Sequence, residues 1–303
     1  MSALAKDITP HIRGQLSENV PLGAQSWFKC GGSADLVFQP AHFEDLQNFL
    51  KHYPKDAPLM VLGGLANTIV RDGGIRGCVV MLGKAMADVE LLVDQNRIIV
   101  GAGALNGTVA AFAAKNGLGG LEFFSGIPGS VGGATAMNAG AYGTEVKDVL
   151  VEAAVMDRDG VLHLLTPDDL KMTYRHTALP PGSIVIHAIL QGQPEDHGAV
   201  RARLKEIKAK RSETQPIREQ TGGSTFANPS DEMRAWQVVE KVGGRGLKIG
   251  GAMMSEMHCN FMVNDGMATA ADLEALGDEL IQRAKEQLGI DLRWEIKRVG
   301  DKL

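Results

Sequence analysis

The sequence predicts an α+β fold, and three observations carry the prediction. The 303 residues are 44% hydrophobic and 22% charged, enough for one large domain or two to three ordinary ones with a buried core. Short apolar runs that end in glycine turns, such as "PLMVLGG" and "RIIVGAG", read as strands. Other segments carry apolar residues at helical spacing, and strands and helices mix without strict β-α-β alternation, so a doubly wound sheet is disfavoured.

Taken in order, "AHFEDLQNFLKHY" places Phe43, Leu46, Phe49 and Leu50 on one side of a helix. "PLMVLGG" follows as a short buried strand, and "RIIVGAG" repeats that form at 97–103. "LNGTVAAFAAKNG" reads as a helix closed by Gly117. "LVEAAVMDRDGVLHLL" is two apolar runs joined at Asp159-Gly160, a hairpin signal, and "SIVIHAIL" is a further strand. "AVRARLKEIKAKRSE" is a basic helix with Val200, Leu204 and Ile207 as its stripe, and with the following "TQPIREQTGG" it reads as a domain joint. "ATAADLEALGDELIQRAKEQLG" is a periodic helix through Leu273, Leu276, Leu280, Ile281, Ala284 and Leu288, and "IDLRWEIKRVG" reads as a closing strand. No internal repeat or low-complexity tract is visible.

Composition excludes several classes. A formal net charge of -5 argues against a nucleic-acid binder. No run of 18 or more apolar residues and no signal-type N-terminal stretch occurs, so no membrane association and a cytoplasmic address are expected. The three cysteines, Cys30, Cys78 and Cys259, have no zinc-like spacing and read as reduced structural thiols. The eight histidines are scattered, so no metal site is expected.

Three glycine-rich turns border strands: "KCGGSAD", "VLGGLAN" and "GIPGSVGGATAMNAGAYG". Residues 117–143 hold nine glycines and the stretch 126–143 has almost no reactive side chains, so its chemistry would be that of its backbone. Such turns cradle phosphates with backbone N–H groups, or simply pack tightly, and composition leaves both readings open. "GAGALNG" at 101–107 imitates a dinucleotide fingerprint, but no ribose-binding acid stands at the expected distance, and no Walker A motif exists.

The run "GLGGLEFFSGIPGSVGGATAMNAGAYG" resembles the signature of the UDP-N-acetylenolpyruvoylglucosamine reductases. "SWFKCGGSADLVFQP", "VLGGLANTIVRDGGIRGCVV", "TYRHTAL", "GGSTFANP", "GGAMMSEMHCNFMVN" and "LRWEIKRVG" resemble further family motifs in the family's order, across most of the chain. Leu65 and Ala66 stand where the family usually has Gly-Ser, Ala227 replaces a usual lysine, Thr177 a serine and Met257 a common lysine. "YRHTALPPGSIVI" reaches the next strand in a few residues, which implies the subclass without a tyrosine-bearing lid (the type II subclass).

The resemblance implies an FAD-binding region of the vanillyl-alcohol-oxidase/PCMH type over residues 1–200, in two subdomains with a boundary near residue 56. A smaller α+β substrate-binding domain follows over 201–303. It implies FAD and NADPH as cofactors and a nucleotide-sugar substrate: hydride passes from NADPH through FAD to UDP-N-acetylglucosamine enolpyruvate, giving UDP-N-acetylmuramate for peptidoglycan precursor synthesis. Implied cofactor contacts are Gly63, Gly64, Asn67, Gly126, Pro128, Gly129, Ser130, Gly132, Gly133, Asn138, Gly140 and Ala141. A monomer is expected.

Hydride addition leaves negative charge on the adjoining carboxylate, which needs preorganised donors or cations, and the neighbouring carbon then needs a proton. Arg175 suits the carboxylate, Glu295 matches the family's acid there and must be protonated to donate, and Ser224 suits the proton donor. Read without the family, Arg175 is an ordinary ion-pair partner of Asp169, Ser224 a helix N-cap and Glu295 an exposed strand residue. Tyr174, Arg218, Asn228 and Asn260 are implied substrate contacts. Core packing for Tyr174, solvation for Arg218 and turn capping for both asparagines are the open alternatives, and His258 reads as structural. Two other functions stay open at this point: a different flavin oxidase or dehydrogenase, and a non-catalytic binder of nucleotide or glycan precursors.

Overall fold

A computed structural model describes residues 2–230 and 232–303. The chain forms two compact units, each assembled from three segments. Unit 1 comprises 1–18, 36–64 and 77–210, and unit 2 comprises 19–35, 65–76 and 211–303. The short segments 19–35 and 65–76, which a linear reading leaves with the first 200 residues, therefore lie in unit 2.

Unit 1 is built on a five-stranded antiparallel sheet in the order Leu162–Leu165, Leu150–Met156, Ile184–Gln191, Arg97–Gly101, Val89–Leu92. The Asp159-Gly160 hairpin forms as expected, with Gly160 at φ +79° in the turn. Leu46, Phe49 and Leu50 of the helix Phe43–His52 are fully buried, each contributing about 1.5–3 kcal/mol relative to exposure. The helix's buried Asp45 accepts from the backbone N–H groups of Arg13, Gly14 and Ala41, so its charge is fully hydrogen-bonded. The helix Asn106–Lys115 ends before Gly117, which takes φ +66°.

The strand Leu59–Val61 pairs in parallel with Cys78–Val80, but it is not buried as the sequence suggests: Val61 is 37% exposed. Leu59, Met60 and Val61 of this strand all border a cavity. Cys78 behind it is a free thiol that burial pushes up to about 12.

Unit 2 packs the helix Ala270–Leu288 against an antiparallel sheet in the order Gln220–Ser224, Phe261–Asn264, Ala252–Met254, Lys248–Ile249. Leu273, Leu276, Leu280 and Ala284 are buried, as the periodicity predicts. A capping box of Thr269 and Asp272 starts this helix, Asp72 accepts from the N–H groups of Ala270 and Ala271, and Gly289 closes it in the left-handed region. The closing segment is not one strand. Arg293–Trp294 pairs with Phe226–Ala227 and Lys297–Val299 runs parallel to Thr68–Val70, so the chain changes partners at Glu295-Ile296.

Candidate active site

Two glycine turns meet in unit 1. A Cβ added at Gly63 would stand 2.7 Å from Ser130 Oγ, and one at Gly64 3.2 Å from the Gly129 Cα, so the turns pack backbone to backbone. The second turn is tied to the run 102–106: the N–H groups of Val131 and Gly132 donate to the carbonyls of Ala104 and Ala102, and Asn106 N–H donates to the Gly129 carbonyl. Asn106 Nδ2 also reaches the Pro128 carbonyl.

Around these turns lies a cavity of about 810 Å³, walled by Leu59–Gly64, Met81–Lys84, Ala102–Leu105, Ser130, Gly132, Gly133 and Leu179–Ser183 among others. Among the described residues that line it, Lys84 is the one with a charged side chain. Its size matches small-molecule and cofactor sites generally, about 300–1,000 Å³. Gly133 presents open space, since a Cβ there would meet nothing nearer than Ser130 Oγ at 3.6 Å. A large cavity with glycine walls and little side-chain charge fits a dinucleotide whose phosphates are held by backbone donors.

Of the predicted cofactor residues, Gly63, Gly64, Ser130, Gly132 and Gly133 line this cavity. The carbonyls of Pro128 and Gly129 are spent on Asn106, and Gly126 packs under the Tyr142 ring. Gly140–Ala141 form a short strand against Thr144–Glu145. Asn138 is fully buried and its side chain is committed inside the protein. Nδ2 donates to Glu145 Oε2 and to the Thr173 carbonyl, both at 2.9 Å, while Oδ1 accepts from Lys147 N–H. Its amide is therefore not a cofactor contact.

Asn67 lies in unit 2, where its Nδ2 donates to the Glu295 carbonyl at 3.2 Å and its own carbonyl accepts from Lys297 N–H. Beside it, Leu65 takes φ +52°, a region that favours glycine, where the family usually has glycine. That conformation costs on the order of 1–2 kcal/mol, offset by the burial of a side chain only 4% exposed.

Tyr174 and Arg175 form the tip of a tight turn in unit 1, closed by reciprocal N–H to carbonyl bonds between Thr173 and His176. Arg175 sits at φ +54°, a conformation turns normally give to glycine or asparagine. Its Nη2 donates to the Gly140 carbonyl at 3.0 Å, and its guanidinium lies 5.0 Å from the Tyr174 ring centroid. Tyr174 is 42% exposed, so it does not fill the core.

Ser224, Glu295 and Asn260 gather around Thr225 in unit 2. The register of Gln220–Ser224 against Phe261–Asn264 breaks between Thr221 and Ser224, with Gly223 at φ +82° in the break. Such a break re-aims the side chain that follows it. The Thr225 carbonyl accepts from Glu295 N–H at 2.8 Å, while Thr225 N–H donates to the Asn260 carbonyl at 2.7 Å. Thr225, which sequence reasoning passed over, is thus the hub that puts Ser224 and Glu295 on adjoining backbone. Trp294 precedes Glu295 and its indole fits the notch left by Gly277.

The remaining predicted contacts divide. Asn260 is buried, accepting from Phe226 N–H and donating to the Phe226 carbonyl, and Asn228 Oδ1 accepts from Ala235 N–H at the start of the helix Ala235–Lys241. Both asparagines hold backbone, the alternative left open by their sequence context. Arg218 is exposed on the segment before Gln220. His258 is structural: Nδ1 accepts from Asn260 N–H, and burial first, then Arg245, lowers its pKa. Among the cavity residues that sequence reasoning missed are 102–105 and 179–183, with residues 59–62 and the run 81–84 beside them. The first lay inside "GAGALNG", whose fingerprint was incomplete; the second carried no motif.

The glycine-walled cavity suits a flavin, and the likeness to known proteins makes the chain a flavin-dependent oxidoreductase. Residues 34–166 match the FAD binding domain family, and residues 215–299 match the family "UDP-N-acetylenolpyruvoylglucosamine reductase, C-terminal domain". Proteins named UDP-N-acetylenolpyruvoylglucosamine reductase are 50% identical over 291 residues in Acidiphilium cryptum (96% of this chain, 93% of that one). The Gluconobacter oxydans protein of that name is likewise 50% identical, over 96% and 94%. The crystal structure of that reductase from Thermus caldophilus superposes with a TM-score of 0.81 at 32% identity, over 95% of this chain and 100% of that one. A Phl p 4 glucose oxidase variant shares the fold alone, with a TM-score of 0.51 and 14% identity over 65% of this chain and 45% of its own. The chain belongs to the UDP-N-acetylenolpyruvoylglucosamine reductase family, and residues 34–166 form its FAD binding domain. Among the described residues no helix is long and apolar enough to cross a membrane.

Proposed function

We propose that this chain catalyses the FAD-dependent, NADPH-driven reduction of UDP-N-acetylglucosamine enolpyruvate to UDP-N-acetylmuramate. The observation that carries the reading is the arrangement around Thr225, where a serine follows a register break and a carboxylate is bonded through its own amide to the next residue. Bound in the unit 1 cavity, FAD would supply a hydride drawn from NADPH to the terminal carbon of the enolpyruvyl group. Gly63, Gly64, Ser130, Gly132 and Gly133 would hold it, their lack of bulk permitting close backbone approach.

Arg175 would grip the substrate carboxylate by two parallel hydrogen bonds and stabilise the charge that develops there. Glu295, protonated, would add a hydrogen bond to the same carboxylate. Ser224 Oγ would give its proton to the neighbouring carbon, a transfer open to a weak acid because the carbanionic centre is strongly basic, and would recover a proton from water. Arg218 would face the substrate diphosphate and Tyr174 the substrate at the turn tip, while Asn228 and Asn260 would shape the pocket through the backbone they hold. The division of labour is a flavin-binding region built on 36–64 and 77–210 and a substrate domain built on 211–303 together with 19–35 and 65–76, in a monomeric cytoplasmic enzyme without a lid.

The test is NADPH oxidation by purified protein with and without the enolpyruvyl nucleotide. The reading requires a yellow protein whose NADPH consumption depends on that nucleotide, one equivalent for each product formed. A colourless protein that takes up no FAD overturns it, and rapid reoxidation by oxygen with no response to the nucleotide replaces it with a flavin oxidase.

A further inference from the structure

The geometry points to Asn138 and Gly140 as positioning residues for Arg175, so that the glycine-rich stretch seats the arginine as well as walling the cofactor cavity. This rests on the reductase reading above.

Two hydrogen bonds join the stretch to the Tyr174-Arg175 turn. Asn138 Nδ2 donates to the carbonyl of Thr173, the residue whose bonds to His176 close that turn. Gly140 accepts the Arg175 guanidinium on its carbonyl. A Cβ at Gly140 would stand 3.2 Å from Arg175 Nη1 and 2.7 Å from Glu145 Cγ, so the bare position leaves room for the guanidinium. Asn138 is itself anchored, with Oδ1 on Lys147 N–H and Nδ2 on Glu145 Oε2, and Glu145 pairs with Lys147 Nζ at 3.0 Å.

Backbone strain collects at the same place. Asn138, Tyr142 and Arg175 hold φ values of +45°, +55° and +54°, and none of them is glycine. Conformations of this kind are strained for residues with a Cβ and persist where the surroundings over-determine them. An asparagine with both side-chain polar atoms bonded and no exposure is such a surrounding. Side-chain position matters steeply here, because a displacement of about 1 Å in a gripping group lowers rates by about 100-fold.

The experiment is a double-substitution cycle on the FAD-loaded enzyme with N138G and R175K. Glycine at 138 keeps the positive φ and deletes only the side-chain clamp. N138D serves as the second variant: it fills the same space, keeps the acceptor for Lys147 N–H, and replaces the donor to Thr173 and Glu145 with an oxygen that repels both. For each variant two rates are followed, flavin reduction by NADPH and flavin reoxidation by UDP-N-acetylglucosamine enolpyruvate, together with calorimetric affinity of that nucleotide for the oxidised enzyme.

A positioning role lowers the reoxidation rate by about tenfold more than the reduction rate and weakens nucleotide binding by about tenfold. Adding the 138 substitution to R175K then costs less than about twofold further, because the grip it positions is already gone. Losses that multiply in the double variant, or equal losses in both half-reactions, overturn the proposal. Failure of the parent enzyme to respond to the nucleotide overturns the reductase reading instead, before any variant is compared.

Discussion

The amide of Glu295 donates to the carbonyl of Thr225 at 2.8 Å, which registers the carboxylate-bearing segment against the residue next to Ser224. The bond is made by backbone, so side-chain substitutions at either position leave the local fold in place. Ser224→Ala is expected to keep flavin reduction by NADPH while turnover of the enolpyruvyl nucleotide falls by about 100-fold or more. Stopped-flow measurement of the two half-reactions checks this, and equal survival of both removes serine from the proton-donor role. Glu295→Gln keeps a hydrogen-bond donor without an ionisable proton, so it should retain more activity than Glu295→Ala.

Arg175 occupies a backbone conformation that glycine adopts without strain. Arg175→Gly relieves about 1 kcal/mol of strain. It also loses a charged hydrogen bond of about 1.5 kcal/mol and a partly exposed cation–π contact of about 0.5 kcal/mol. The net destabilisation of about 1 kcal/mol should lower the melting temperature by less than about 4 °C. Turnover should fall by about 100-fold or more. Calorimetry on the same preparations used for kinetics separates the two effects; a collapse in stability would mean that Arg175 is retained for the fold.

Gly133 offers a cleaner probe of the cavity than its neighbour. At Gly132 a new Cβ would press on the Ala102 Cβ at 2.8 Å, so loss of flavin in Gly132→Val mixes with damage to packing. Gly133 lies in the helix Val131–Ala136 with room for a methyl group, and alanine there should stabilise the flavin-free chain by about 0.5–1 kcal/mol. The same methyl group intrudes on the cavity. Gly133→Ala should therefore raise the melting temperature of the flavin-free protein and lower FAD retention on gel filtration, and undiminished FAD content would move the cofactor elsewhere.

Asp272 ties stability to acid. Hydrogen bonds to the carboxylate, that from Thr269 N–H first and that from Gly251 N–H after it, hold the group below its ordinary value of 3.8, with burial opposing them. Because the folded value is the lower one, the stabilisation is present above 3.8 and is lost as pH falls through the folded value. Denaturant melts between about pH 2 and pH 5 should show stability falling with acid, and Asp272→Asn should flatten that limb.

Much of this was legible in residue spacing. The apolar stripes of 43–50 and 273–288 predicted helices that bury Leu46, Phe49, Leu50, Leu273, Leu276, Leu280 and Ala284, while Phe43 and Ile281 are half-buried and Leu288 is exposed at the helix end. The composition of the bare stretch 126–143 left ligand contact and tight packing both open, and Ser130, Gly132, Gly133 and Ala136 of it line the cavity. Leu59–Val61 looked like a core strand because a cavity wall and a packed core call for the same apolar side chains. Asn138 looked like a cofactor contact because its neighbours in sequence are; only its tertiary partners, Thr173 and Lys147, show that its amide is spent. The split of the last strand at Glu295 was hidden for a similar reason, since it depends on two partners, Phe226–Ala227 and Thr68–Val70, that lie far apart in the chain.

The interleaving of the two units also governs the order in which the nascent chain can mature. Phe28 and Ile69 belong to the core of unit 2, yet their packing partners Val238, Leu273 and Ile296 emerge from the ribosome much later. At a synthesis rate of about 5–20 residues per second, Ile69 waits roughly 10–50 s for Arg298 to close the ladder over it. During that interval two apolar segments interrupt the sequence of unit 1 without their own partners, open to chaperones or to the same segments of a neighbouring chain.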